Sequence, residues 1–137
     1  MGTWGAGPFD NDIAADFASD VDAAAGDQRA FLIQEALEAA VTEEGPLNAR
    51  TGDVAVAAAA IVAAQCPGGE PVDPVYGTKE RLPPLPTHLR RLAVLALDRV
   101  IGPDSELPEL WAGTESAAEW RIGVYRLQST LSGGAAS

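Results

Sequence analysis

Three aspartates, Asp12, Asp16 and Asp20, recur every four residues near the start of the chain, and Asp10 stands just before them. A spacing of four places side chains one above another on a helix, so the sequence predicts a ridge of carboxylates. Stacked carboxylate oxygens suit hard cations such as magnesium or calcium. The chain has neither the Asp-x-Asp-x-Asp-Gly calcium loop nor the Glu-x-x-His pair of a di-iron bundle. Acids are in any case favoured near a helix N-terminus by its dipole. Their mutual repulsion at this spacing costs only about 0.2–0.5 kcal/mol per pair. The ridge therefore reads first as a capped helix face, solvated or paired with arginine, and no metal or other cofactor is implied.

A second group of residues surrounds the glycines. Gly5-Ala6-Gly7-Pro8 resembles a phosphate-binding turn but lacks the third glycine, the preceding strand and any basic residue. A structural role fits better: the glycines let the backbone pass close to neighbouring helices while Trp4 and Phe9 reach the core. Phe9 is placed to form a hydrophobic staple with Ile13 or Ala14. The competing reading makes Trp4, Asp10, Asn11 and Asp12 the lining of a pocket. Trp111 and Trp120 flank a turn and offer a stacking platform or an interface anchor, although the core spacing of Trp120 favours packing. His88, the single histidine, acts as a base only if a carboxylate and a substrate site converge on it. Tyr76 lies in a loop with Lys79 and Arg81, and nothing gives the three a shared geometry. The lone Cys66 forms no intramolecular disulfide and reads as a buried, inert thiol. Trp4, Asp10, Asn11, Tyr76, His88 and Trp111 are thus the pocket candidates. None is assigned a catalytic role, and an enzyme is the less favoured class.

The elements that must position these groups all read as helices, because every long segment has helical periodicity and none shows sustained alternation. The expected fold is all-α, a single-domain bundle of about five helices over residues 1–132, with residues 133–137 as a flexible tail. The first helix starts near Asp10 or Asn11, either of which can cap it, buries Ile13, Phe17 and Val21, and ends before Gly26. Asp27 is the expected cap of the second, which runs through Phe31, Ile33, Leu37, Ala40 and Val41 to Gly45 and exposes Glu35 and Glu38. A third follows Thr51 and contains Val54 to Ala64, a run with no polar side chain. A helix apolar all round belongs at the centre of a bundle, and this run is too short to span a bilayer. Residues 66–86 form a long Pro/Gly-rich loop, read as a strap held by Val75, Tyr76 and Leu85 in preference to a lid. Thr87 caps the fourth helix, which buries Leu89, Leu92, Ala93, Ala96, Leu97 and Val100. Its Arg90, Arg91 and Arg99 are candidates to neutralise the acidic ridge. A short turn near Ser105 to Trp111 precedes a last helix with Trp120, Val124, Leu127 and Leu131 at core spacing.

The net charge of −11 is concentrated at one end. Residues 1–44 hold ten acids against Arg29 alone, which gives that third −9. Such a field repels a phosphate backbone and disfavours direct nucleic-acid binding. It attracts a basic protein surface and speeds its association. The N-terminus has no secretory signal and no myristoylation pattern, so the expected compartment is the cytoplasm, with no membrane association.

The opening Met-Gly-Thr-Trp-Gly-x-Gly-x-Phe-Asp-Asn-Asp resembles the start of a family of small bacterial proteins known as domain of unknown function 4259. The acidic first helix, Ala-rich third helix and Trp-containing last helix extend the likeness. The resemblance implies a mostly helical domain and brings no activity, cofactor or catalytic residue. On residues alone the leading expectation is a non-catalytic interaction module that docks a basic partner through Asp12, Asp16, Asp20, Glu35 and Glu38. Its sharpest form is immunity-like inhibition of a cationic toxin or nuclease. A small-ligand or divalent-metal-binding module is the first alternative. A hydrolase using His88 or the aspartates is the second.

Overall fold

The computed structural model describes residues 5–71, 77–78, 82 and 84–133. Within them the chain forms six helices: α1 (Asp12–Ala23), α2 (Asp27–Thr42), α3 (Ala49–Ala64), α4 (His88–Ile101), α5 (Glu106–Trp111) and α6 (Ala117–Leu131). The turn expected before the last helix is itself the short α5, which accounts for the sixth. Among the described residues there is no strand, only an isolated bridge between Leu47 and Ser105.

The bundle is built around α3, which contacts each of the other five helices. Ten of its sixteen residues are buried, nine of them consecutive from Ala55 to Ala63. Small side chains on every face let several neighbours approach one axis. Its free N-terminal amides are satisfied from three directions. Asn48 Oδ1 accepts from Arg50 N at 2.9 Å, Glu106 Oε1 from Ala49 N at 2.8 Å, and Glu43 Oε2 from Asn48 N at 2.7 Å. Two of these acceptors are acids at the positive end of the helix dipole.

Around this axis the sequence expectations shift in phase. α1 buries Ala14, Ala18 and Val21, while Ile13 and Phe17 flank the contact half-buried. On α2 the buried face is Ile33, Ala36, Leu37 and Ala40. Phe31 and Val41, two of the apolar residues through which the helix runs, are exposed by 56% and 38%. Phe31 lies roughly 150° round the helix from the centre of the face that Ile33, Leu37 and Ala40 define, and Val41 roughly 70°, at its edge. The cap of α2 is Gly26, at φ +44°, and Asp27 is already its first residue. Thr87 does precede α4, but its hydroxyl makes no capping bond. α4 buries Leu89, Ala93, Ala96, Leu97 and Val100, and α6 buries Trp120, Val124 and Leu131.

Of the 66–86 loop, the described part is anchored at its ends. Leu82 and Leu85 pack against the core, and Leu85 N donates to Gln65 Oε1 at 2.8 Å. Val75, Tyr76, Lys79 and Arg81 lie outside the described residues. Cys66 is buried, its Sγ 3.6 Å from the Val62 carbonyl oxygen. No helix among the described residues is long and apolar enough to cross a membrane.

Candidate functional site

The loop ahead of α1 closes on itself as a clasp. Asp10 Oδ2 accepts a hydrogen bond from Gly7 N at 2.9 Å, and Asp10 N donates to Gly7 O at 3.1 Å. A Cβ on Gly7 would stand 2.8 Å from that carboxylate oxygen, and one on Gly5 would collide with it. The two glycines are therefore required by the folded-back side chain of Asp10. The close approach expected to neighbouring helices is instead an approach to this carboxylate. Asn11, next along, caps α1: its Oδ1 accepts from Ala14 N at 2.8 Å. With the turn fixed on both sides, Phe9 is held in the core.

Beside the clasp lies a groove of about 710 Å³, walled by residues 6–10, the middle of α3 and one face of α6. Its inner surface is apolar: Phe9, Val56, Ala60, Trp120 and Val124 are all buried, and Leu127 is half-buried. Alanine at 60 and 63 leaves room that a larger aliphatic residue on α3 would occupy. The outer edge is charged, with the exposed side chains of Glu70, Glu115, Glu119 and Arg126 joining the half-buried Asp10. Trp111 stacks on Trp120, ring centroids 5.9 Å apart at an interplanar angle of 11°. It thereby buttresses a ring of the groove wall from behind.

Residues 2–122 match the family described as Domain of unknown function (DUF4259). The chain belongs to that family. No curated protein and no solved structure matches it. The DUF4259 region contains the clasp, the whole α3 wall and α6 as far as Ile122; the remainder of the α6 wall, Gly123 to Thr130, follows it.

In this DUF4259 chain the residues singled out from sequence are dispersed. Trp4 and Tyr76 lie outside the described residues. Asp10 lines the groove, whereas Asn11 serves as a cap and Asp12 is exposed outside the lining. Trp111 is behind the wall, not part of it. His88 is exposed at the start of α4 with its Nε2 3.3 Å from Gln34 Oε1, and no carboxylate among the described residues is bonded to it. Asp12, Asp16 and Asp20 are exposed along α1, as are Glu35 and Glu38 on α2.

Of the two settings open to the ridge, solvent or the α4 arginines, the fold has the first. α1 packs on α2 and α3 and makes no contact with α4. Arg99 instead donates to the carbonyl oxygens of Asp104 and Gly45, tying the α2–α3 connection to the turn after α4. Arg29, the one base in the acidic third, closes the end of α1 by donating to the carbonyl oxygens of Ala24 at 2.9 Å and Asp22 at 3.2 Å. Among the described residues, no three acid, histidine or cysteine side chains converge as they would to hold a metal ion.

Sequence reasoning passed over two residues. Gly123 lies in the interior of α6, in the groove wall, with no described residue within 4 Å of where a Cβ would be; an isolated glycine inside a helical pattern is its signal. Asp53, on α3, has no partner among the described residues, and burial pushes its carboxyl up to about 6. One acid immediately before an eleven-residue apolar run was the corresponding signal.

Proposed function

We propose that this protein is a non-catalytic binding module that holds a small, largely apolar ligand in the groove between the clasp and α6. The supporting observation is the groove itself. Its volume of about 710 Å³ falls within the roughly 300–1,000 Å³ of small-molecule sites, which pair an apolar interior with a few polar groups at the edge. The described lining contains no histidine, cysteine or serine; its polar side chains are the carboxylates of Asp10, Glu70, Glu115 and Glu119, the Arg126 guanidinium and the Thr130 hydroxyl.

The reading is tested by thermal denaturation against a library of small apolar fragments. A ligand that prefers the folded state raises stability by RT ln(1 + [L]/Kd), about 1.4 kcal/mol at ten times Kd. Stabilising fragments whose effect disappears when the groove is filled from α6 are expected. A library without a single stabilising compound contradicts the proposal.

A protein partner is the second reading, favoured by one observation. Asp12, Asp16 and Asp20 remain exposed and out of contact with the α4 arginines, so their field is available to a basic surface. Salt-graded affinity capture with wild type and an Asp12/Asp16/Asp20→Asn variant tests it. A basic partner lost both in high salt and in the variant supports this reading, and retention by the variant removes it.

A further inference from the structure

We infer that the ligand of the groove is an amphiphilic organic cation, an amine carried on a compact aliphatic or aromatic body. The inference rests on the groove reading above and adds the chemical class. Charge complementarity is its first support. Among the described lining residues, Asp10, Glu70, Glu115 and Glu119 face one cation, Arg126. One Asp10 oxygen is engaged by the Gly7 amide inside the clasp, and the three glutamates are exposed at the edge. A carboxylate ligand would meet a net negative rim, a neutral one would gain only from burial, and an ammonium would gain from both.

Gly123 is the second support, and it is independent of charge. Glycine in a helix interior is disfavoured against alanine because it exposes backbone and loses more conformational freedom on folding. Where a mid-helix glycine is needed for packing, a neighbour fills the space of its missing side chain. Among the described residues nothing lies within 4 Å of a Cβ built on Gly123. Close packing therefore does not account for it, and its position in the groove wall does. A larger side chain there would extend into the cavity, toward the volume that Ala60 and Ala63 leave free on the α3 side. The residue keeps open a space wide enough for the apolar body of the ligand, while the carboxylates at the edge receive its charged end.

The experiment uses three probes with one body and different charge: 3-phenylpropylamine, 3-phenylpropanol and 3-phenylpropionate. Each is titrated by calorimetry into wild type, Gly123→Leu and Glu119→Gln, at low and at high salt. The amine should bind about tenfold more tightly than the alcohol, with the carboxylate weakest. High salt and Glu119→Gln should each narrow that gap. Gly123→Leu should abolish binding of all three while its thermal midpoint stays at or above that of wild type, which shows that the fold is retained. Equal binding of the three probes to wild type, abolished by Gly123→Leu, would overturn the cationic class and leave the groove reading standing. Absence of binding by every probe, or binding unaffected by Gly123→Leu, would overturn both. A gap unchanged in high salt and in Glu119→Gln would overturn the electrostatic argument.

Discussion

Replacing Asp53 with asparagine should stabilise the protein at neutral pH and leave it unchanged in acid. Asp53 stands on α3 with part of its side chain among apolar neighbours and no partner among the described residues. Burial raises its carboxyl from 3.8 to about 6. The folded protein thus holds this proton to higher pH than the unfolded chain does. Stability contributed by the protonated form is present below pH 3.8, declines as pH rises toward about 6, and is absent above it. A shift of roughly two units sets a ceiling of about 3 kcal/mol at 1.36 kcal/mol per unit. The carboxyl still reaches solvent, whose screening reduces that to about 1–2 kcal/mol. Urea unfolding of wild type and Asp53→Asn at a series of pH values isolates the term, because relief of the general negative charge on acidification is common to both. The variant should gain about 1–2 kcal/mol at neutral pH, and the difference should vanish near pH 3.8, the ordinary aspartate value. A difference independent of pH, or a variant less stable than wild type at neutral pH, would refute the reasoning.

Asn11→Ala removes the side-chain cap on Ala14 N and should cost about 1 kcal/mol in urea unfolding; a neutral result would show that the α1 terminus is satisfied some other way. Gly7→Ala sets a Cβ 2.8 Å from Asp10 Oδ2 and should destabilise by about 1–3 kcal/mol. In an Asp10→Ala background much of that cost should disappear, and strictly additive effects in the double-mutant cycle would sink the clasp interpretation. Gly123→Ala adds helix propensity without a collision, so its thermal unfolding should show a gain of about 0.5–1 kcal/mol. A loss of stability there would mean that the space beside Gly123 is not open.

How much of this could be read from the sequence differs from element to element. The central position of α3 was legible because Val54 to Ala64 offers no polar face to solvent. The α2 face was not, since its apolar residues spread round the helix: Phe31 falls roughly opposite Ile33, Leu37 and Ala40, and Val41 falls at the edge of their face. Alanine blurs such phases: a face of Ala14, Ala18 and Val21 carries a weaker apolar signal than the adjacent Ile13 and Phe17, yet it is the face that packs. The setting of the acidic ridge was not legible for a different reason, because periodicity says which face a helix buries and not which helix lies opposite. The glycines of the opening motif were visible as special, but their cause is one carboxylate folding back from Asp10 onto Gly7. The groove could not be read at all as a unit, because residues from four separated stretches between Ala6 and Thr130 meet there. Asp10, a pocket candidate from its place in the opening motif, and Gly123 are its local traces.

The central claim is that the groove, not the acidic ridge, is the binding site. Backbone amide NMR during titration with 3-phenylpropylamine tests it most directly. Shifts gathered on the clasp, on Val56 to Ala63 and on Glu119 to Thr130, with Asp12 to Asp20 unmoved, are the predicted result. Shifts that follow the α1 ridge, or that scatter over the surface without saturating, would contradict it.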